Sequence, residues 1–306
     1  MPRRLWRYQD ARWIRQLLPA YDNDMSLAKR QLTWLKEKTQ NPKILDHHVR
    51  DRAFRHKPLQ YILGTQPFGE LDIVTRPPTL IPRWETEEWV HRLIDILLPH
   101  LLLLKKNNKK TAPFRILDLC TGSGCIGLSL ATQLPSCHIV AIDISKEAIL
   151  LAQENYKINH AQVLQQNSMI EFKQLDIFAQ NAMETMMLRD QSPFDLIVSN
   201  PPYVTMDEYQ SLDPDVKEWE DPRALVANEQ GMAIHQRIIE LANNGLLLRS
   251  SQQEEEDRKI PRLVMEFGGT HQVKPLKQMI MKDKILFKDV QVWKDLADKD
   301  RVVIAM

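Results

Sequence analysis

The 306-residue chain contains no segment long and apolar enough to span a bilayer, so no membrane association is expected. Charge of neither sign predominates: Lys and Arg number 41 against 40 Asp and Glu. The whole molecule therefore carries no electrostatic signature of a nucleic-acid binder, and only a local basic patch stays open. Cysteine is scarce. Cys120, Cys125 and Cys137 lack the paired CxxC spacing of a metal knuckle or redox couple. They read as small core residues of a reducing compartment. Glycines are few, and there is no internal repeat. What is present is a hydrophobic content of 43%, enough to build a core for one large domain or two modest ones.

The chain starts with Arg3, Arg4, Arg7, Arg12 and Arg15, and Asp10 is the only acid before Asp22. An organelle-targeting helix fits this pattern. So does an ordinary basic first helix with Trp6, Trp13, Leu17 and Leu18 as its apolar stripe. Helices are predicted over residues 1–57, broken at Pro19, at Asp22 to Asp24 and at Asn41-Pro42. Asp24 or Ser26 would cap the second helix, whose apolar face would use Leu27, Leu32, Trp34 and Leu35. Residues 58–84 carry Gly64, Gly69 and several prolines between short alternating runs and read as a hairpin linker. A helix follows from Glu85 to Leu104. Its LLLLKKNNKK end puts lysines at the negative helix terminus, ahead of a solvated loop.

From Thr111 the rhythm becomes strand, helix, strand, helix. FRILDL, HIVAID, FDLIVSN and RLVMEF are apolar runs of the kind buried in parallel sheets. GCIGLSLATQL, SKEAILLAQENYKIN (capped by Ser145) and GMAIHQRIIELANN alternate with them as helices. This alternation predicts an α/β, doubly wound sheet within residues 85–306. The tail runs ILFKDVQVW and RVVIAM lie too close together for a helical crossover, so the sheet should end in an antiparallel pair. SSQQEEEDRK reads as a polar loop and NAMETMML as a helix packing face or loop filler. His47, His48 and His271 read as surface or packing residues.

Two constellations carry chemistry. FRILDL runs into Asp118-Leu-Cys-Thr-Gly122-Ser-Gly124-Cys-Ile-Gly127, a G-x-G-x-x-G turn between strand and helix. Glycines there let the backbone approach a ligand, and the helix N-terminus offers free amides. The second strand ends in Asp143-Ile144, where an acid can hold the hydroxyls of a ribose. Together these predict an adenosine-containing cofactor. Asp118 favours S-adenosylmethionine over a dinucleotide, since a second carboxylate would repel a pyrophosphate but suits an ammonium group.

The second constellation is Asn200-Pro201-Pro202-Tyr203, placed directly after the buried strand FDLIVS. Asn200 stands at the carboxyl end of a parallel strand, where open α/β sheets bind ligands. The prolines fix the chain direction and add no competing N–H. Asn200 Oδ1 and the Pro201 carbonyl can then converge on one planar NH2 group and aim its nitrogen at a methyl donor, while Tyr203 stacks on the plane behind it. That chemistry fits a primary amide, and equally the exocyclic amine of adenine.

NPPY, DLCTGSG and IPRWETE together resemble the release factor glutamine methyltransferases, the HemK/PrmC family. The resemblance extends through PLQYILG, TLIPRWETE, AIDISKEAILLAQEN, EDPRALVANEQGMAIHQRII, LVMEFG and DLADKDRVVIAM. It implies a class I S-adenosylmethionine-dependent methyltransferase, Rossmann-like and doubly wound with an antiparallel last strand, behind a small N-terminal helical domain. The substrate would be the glutamine of the GGQ loop of a peptide-chain release factor, methylated on its side-chain amide nitrogen. The implied cofactor residues are Asp118, Cys120, Thr121, Gly122, Ser123, Gly124, Asp143, Ile144, Asp176, Ile177 and Asn200. The implied catalytic residues are Asn200, Pro201, Pro202 and Tyr203. Residues 1–57 would present the factor to the cleft, 58–84 would link, and 85–306 would form the catalytic domain.

Two residues depart from the family pattern: Cys120 stands where a glycine is usual, and Trp84 where a proline usually precedes ETE. Arg83, Glu85 and Glu87 are then assigned to latching the linker onto the sheet rather than to the cofactor. An N6-adenine DNA or RNA methyltransferase is the chief alternative. A non-catalytic assembly factor and a dinucleotide oxidoreductase rank below it. No direct nucleic-acid contact, no metal and a monomeric state are expected. The arginine-rich start and the Lys, Asn and Gln content point to the mitochondrial matrix, with a bacterial cytoplasm as the alternative.

Overall fold

The computed structural model describes residues 3–106, 112–186, 193–246, 260–282 and 286–306. The LLLLKKNNKK tract beyond residue 106, the SSQQEEEDRK loop, the last two residues of NAMETMML and the first of ILFKDVQVW lie outside the described residues, as do the side chains of Arg3, Arg4, Trp6 and Arg7. Among the described residues no helix is long and apolar enough to cross a membrane.

The amino-terminal layer is helical: α1 (Arg3–Leu17), α2 (Met25–Lys38) and α3 (Pro42–Phe54), with a single 3₁₀ turn at Leu18–Tyr21. Asp24 caps α2 by accepting from the Ser26 and Leu27 amides, and Asn41 caps α3 in the same way at Lys43 and Ile44. These bonds satisfy donors that a helix start leaves free. Trp13 and Leu17 are buried as expected. On α2 the expected face is corrected. Leu32 and Leu35 are buried together with Ala28, whereas Leu27 and Trp34 remain 39% and 38% exposed. Each of the latter precedes a member of the 28/32/35 stripe by one residue, a rotation of about 100° around the helix.

The linker forms a short helix, α4 (Leu59–Leu63), and an antiparallel hairpin, β1 (Thr65–Phe68) and β2 (Leu71–Val74). Leu59 and Ile62 belong to the core of the helical layer. The long helix α5 (Trp84–Lys106) starts one residue earlier than predicted and buries Trp89, Val90, Leu93, Ile94 and Leu97 against the main sheet.

Among the described residues that sheet has seven strands: β3 (Phe114–Leu119), β4 (Cys137–Asp143), β5 (Met169–Gln174), β6 (Leu196–Ser199), β7 (Leu263–Glu266), β8 (Val290–Lys294) and β9 (Asp300–Ala305). Their order is β5-β4-β3-β6-β7-β9-β8, parallel through β7, with β9 antiparallel to both β7 and β8. Alternate residues of each strand feed opposite cores: Ile116 and Ile139 face α5 and α6 (Cys125–Gln133), while Leu117 and Val140 face the other side. Helix α7 (Lys146–Gln165) is capped by Ser145, whose hydroxyl accepts from the Ala148 amide. A short α8 (Ala182–Met186) follows β5. After β6 come the single-turn helices α9 (Met206–Gln210), α10 (Pro214–Lys217) and α11 (Pro222–Leu225), and then a turn, α12 (Asn228–Gly231), whose Glu229 and Gln230 are left-handed, at φ 55° and 56°. Then come α13 (Ala233–Leu241), continued by a π turn over Ala242–Leu246, and α14 (Thr270–Ile280).

Sequence reading missed β5 and α14. β5 is an edge strand in which only Ile170 is buried, so its MIEFKQ run shows no clear alternation. In α14 the Gly268-Gly269 pair and Pro275 mask a genuine helical spacing of the buried Gln272, Leu276 and Ile280.

Candidate active site

Going outward along the chain from β3, the order of strands reverses between β3 and β6. Loops leaving the carboxyl ends of adjacent strands there turn in opposite directions, which opens a crevice. A cavity of about 320 Å³ occupies it, extending to the ends of β4 and β5. Of the residues expected in the site, Cys120, Gly122, Asp143, Ile144, Asp176, Ile177, Asn200 and Pro202 line this cavity. Asp118, Thr121, Ser123, Gly124, Pro201 and Tyr203 are not on its wall.

The glycine loop is held from behind. Asp118 is fully buried, and its Oδ2 accepts from the Thr121 hydroxyl at 2.6 Å and the Gly127 amide at 3.1 Å. Burial pushes the Asp118 carboxyl up to about 7. Asp118 thus braces the loop instead of facing the cavity, and its Oδ1 is a buried acceptor with no partner among the described residues. A Cβ at Gly127 would sit 2.9 Å from Asp118 Oδ2, so the third glycine of the motif is needed for packing. Gly122 differs: nothing lies within 4 Å of a Cβ built there, and its φ of +56° is the reason for glycine.

Asp143 accepts the Gly122 amide on one oxygen and the Ser145 amide on the other, both at 2.9 Å. Each oxygen keeps a lone pair for a hydroxyl. Burial raises the Asp143 carboxyl above its ordinary range. Apolar walls follow at Ile144, Leu175, Ile177 and Phe178. An acid beside a glycine loop and these apolar walls suit the ribose and base of S-adenosylmethionine. The open space in front of Gly122 leaves room for the rest of the molecule.

Cys120 lines the cavity at φ +60°, the left-handed region that favours glycine. Burial pushes its thiol up, so it stays protonated. Cys120→Gly removes a left-handed cost of about 1–2 kcal/mol and adds an unfolded-state entropy cost of roughly 0.5–1 kcal/mol. The expected result is a melting temperature within a few degrees of the parent, with cofactor affinity kept. A large loss of affinity in calorimetry would show instead that the thiol itself holds the ligand.

Sequence reading missed several residues on this wall. Pro78, Thr79 and Leu80 come from the linker, and Asp221, Arg223 and Val226 from the segment after α10. The two segments are laced together where the Asp221 amide donates to the Pro78 carbonyl and Arg83 pairs with Glu220, and within the linker the Tyr61 hydroxyl donates to the Thr79 carbonyl. Glu220 is buried, which raises its carboxyl to about 7 against the lowering effect of Arg83. Arg83 is held by Glu220, and none of Arg83, Glu85 and Glu87 lines the cavity. Their motifs, TLIPRWETE and EDPRAL, were visible in the sequence, but nothing in either showed that they meet.

Asn155 was visible only as part of a helix. It is fully buried and binds Val74 through both N–H and C=O, while its Nδ2 also donates to the Ser123 carbonyl at 2.9 Å. One side chain thus ties the linker hairpin to the glycine loop.

Asn200 follows β6, where the Ser199 hydroxyl donates to the Leu119 carbonyl and registers the strand against β3. The backbone beyond is gripped on both sides. The Tyr203 and Val204 amides donate to the Leu225 carbonyl, and Gln272 Nε2 donates to the Tyr203 carbonyl. Asn200 Nδ2 donates to the Thr86 hydroxyl at 3.0 Å. Thr86 lies between the two glutamates singled out in the sequence. It shares the buried 86/89/90/93 stripe of α5, a helical spacing that was available to find it.

Residues 95–212 match the family model described as methyltransferase small domain. The chain is 35% identical to the probable MRF1 mitochondrial N(5)-glutamine methyltransferase mtq1 of Schizosaccharomyces pombe, covering 94% of this chain and 91% of that protein. It is 34% identical to the release factor glutamine methyltransferase of Lactococcus lactis, covering 89% and 87%. Among solved structures, the N-terminal domain of human METTL16 in complex with SAH shares the fold, with a TM-score of 0.51, 15% identity and coverage of 90% and 93%.

Proposed function

Because the chain belongs to the release factor glutamine methyltransferase family, we propose that it methylates the side-chain amide nitrogen of the GGQ glutamine in a peptide-chain release factor, the mitochondrial one. S-adenosylmethionine, when bound, supplies an electrophilic methyl group on a sulfonium. The observation that carries the reading is Asn200 on the wall of the adenosine-type cavity, at the rigid Pro201-Pro202 kink. An amide nitrogen is a poor nucleophile because its lone pair is delocalised into the carbonyl. Asn200 Oδ1 and the Pro201 carbonyl each accept one of its hydrogens, which holds the nitrogen in place and helps it pyramidalise. In this reading Tyr203, off the cofactor cavity and with its hydroxyl on Glu266, would stack on the planar group from beside the kink, and the apolar cavity walls exclude water.

The decisive experiment incubates the chain with a candidate release factor and an isotopically labelled methyl donor, then reads the GGQ tryptic peptide by mass spectrometry. Label on the glutamine is expected; label on an adenine of added DNA or RNA in its place would favour the adenine reading.

Residues 1–57 serve as the recognition unit in this proposal. They hold fourteen Lys and Arg against six Asp and Glu, so a near-neutral total conceals a basic end. Arg30, on the exposed side of α2 between Leu27 and Trp34, is part of this surface. Arg30→Glu is expected to raise the KM for the factor several-fold, with kcat and cofactor KM nearly unchanged. Steady-state kinetics check this, and an unchanged KM would remove α2 from the docking face. A mitochondrial matrix location is tested by fractionating cells that express a tagged chain.

A further inference from the structure

Asn200 is tied to the protein interior by a chain of hydrogen bonds with a direction, and that direction is set at its far end. Glu266, the last residue of β7, is 1% exposed. Its Oε2 accepts from the Thr86 hydroxyl at 2.7 Å and from the Trp89 indole at 2.9 Å, and its Oε1 accepts from the Tyr203 hydroxyl at 3.1 Å. An indole only donates, which fixes Oε2 as an acceptor, and the Thr86 hydroxyl donates to the same oxygen. Burial raises the Glu266 carboxyl above its ordinary range while these donors lower it. The single Thr86 proton is committed to Glu266. What Thr86 shows to Asn200 is a lone pair, and Asn200 meets it with Nδ2, which leaves Oδ1 for the cavity side.

We propose that Glu266, acting through Thr86, is the positioning residue that decides which end of the Asn200 amide faces the substrate, and that it anchors Tyr203 in the same network. The inference rests on the reading of Asn200 as an acceptor for the glutamine NH2. Neither Thr86 nor Glu266 lines the cavity, so both act only through the residues they orient. An inverted Asn200 would present N–H groups to a substrate nitrogen that itself donates. One acceptor would be lost and replaced by a repulsive contact.

Thr86→Val keeps the side-chain shape and removes both hydrogen bonds, whereas Thr86→Ser restores the hydroxyl. Thr86→Val is expected to lower kcat about tenfold or more with the cofactor dissociation constant nearly unchanged, and Thr86→Ser to recover to within about threefold of the parent. Glu266→Gln can turn its one oxygen to Thr86 and Trp89 and its NH2 to the Tyr203 hydroxyl, so it keeps the Thr86 bond and should lose less activity than Thr86→Val. The double variant Thr86→Val/Glu266→Gln should then be no more than about twofold worse than Thr86→Val, because the chain to Asn200 is already broken at Thr86.

A parent-like kcat in Thr86→Val, a failure of serine to rescue, or losses that multiply in the double variant would overturn the proposal. If Glu266→Gln does not fold, the valine–serine pair decides alone. A readout without substrate separates this inference from the functional one. With ¹⁵N-asparagine labelling, the side-chain amide signals of Asn200, assigned by their loss in Asn200→Asp, should move in Thr86→Val and return in Thr86→Ser. Unmoved signals overturn the network even if the parent methylates the factor. Shifted signals uphold it even if the factor proves to be the wrong substrate.

Discussion

Asn200→Ala is expected to slow methyl transfer roughly 5- to 150-fold, the equivalent of about 1–3 kcal/mol of transition-state stabilisation. Alanine removes one of two acceptors that orient the nucleophile and leaves the proline kink in place. Asn200 is also part of the cavity wall, so some weakening of cofactor affinity will accompany the change, but binding should remain measurable. Single-turnover rates at saturating cofactor, with calorimetry on the same sample, separate the two effects. A variant with parent-like turnover would mean that the kink does not hold the reacting nitrogen, and the mechanism proposed above would fail with it. The loss should exceed that of Thr86→Val if Thr86 acts only by orienting Asn200, since alanine removes the acceptor itself.

Gly231→Ala is expected to do more damage to the fold than any other glycine replacement in the chain. Its φ is +79°, and an added Cβ would lie 2.0 Å from the Tyr203 carbonyl oxygen and 2.6 Å from Gln272 Nε2. The first is backbone, and it belongs to the segment that shapes the site. A left-handed alanine costs about 1–2 kcal/mol, and overpacking against backbone adds roughly 1–3 kcal/mol. Together these should lower the melting temperature by roughly 5–15 °C. Activity measured well below the melt should fall as well, because the clash is relieved only by moving Tyr203. Gly122→Ala is the control for stability: its φ is also positive, but its Cβ meets nothing within 4 Å, so only the conformational cost applies. Similar melting temperatures for the two variants would show that the Tyr203 segment yields easily.

The sequence carried the architecture because the signals were local and mutually consistent. FRILDL, HIVAID and FDLIVS are short runs apolar on both faces, which only a covered parallel sheet accommodates. The strand-to-helix glycines named the cofactor end of that sheet, and the tail pair was antiparallel because its connection is too short for anything else. Where the local signal was weak, the reading failed. β5 lies at the sheet edge with one buried side chain, and α14 begins at a glycine pair and contains a proline. On α2 the apolar residues were correctly placed in a helix, but Leu27 and Trp34 were assigned to the wrong side. Hydrophobicity marks a stripe only to within one residue, and the packing partner chooses between neighbours.

Among the candidate site residues, Asp143 ends β4, Asn200 directly follows β6, and both line one cavity, where the pattern put them. Asp118 does not. It sits one residue deeper in β3, which turns its carboxylate under the loop that it was expected to look out from. The alternation of a strand reverses side with every residue, so a one-position difference separates a ligand contact from a brace.

By itself, then, the order of residues determined most strands of the sheet, its adenosine-binding end, and the kink that follows β6, since each follows from periodicity or from the restricted backbone of glycine and proline. Only the tertiary structure decided that Thr86, Trp89, Tyr203 and Asn200 are joined around Glu266, residues up to 180 positions apart in the chain. No local pattern encodes such a junction. It exists because α5 and β7 bury polar groups against each other, and a buried carboxylate must gather donors from whichever elements the fold brings within reach.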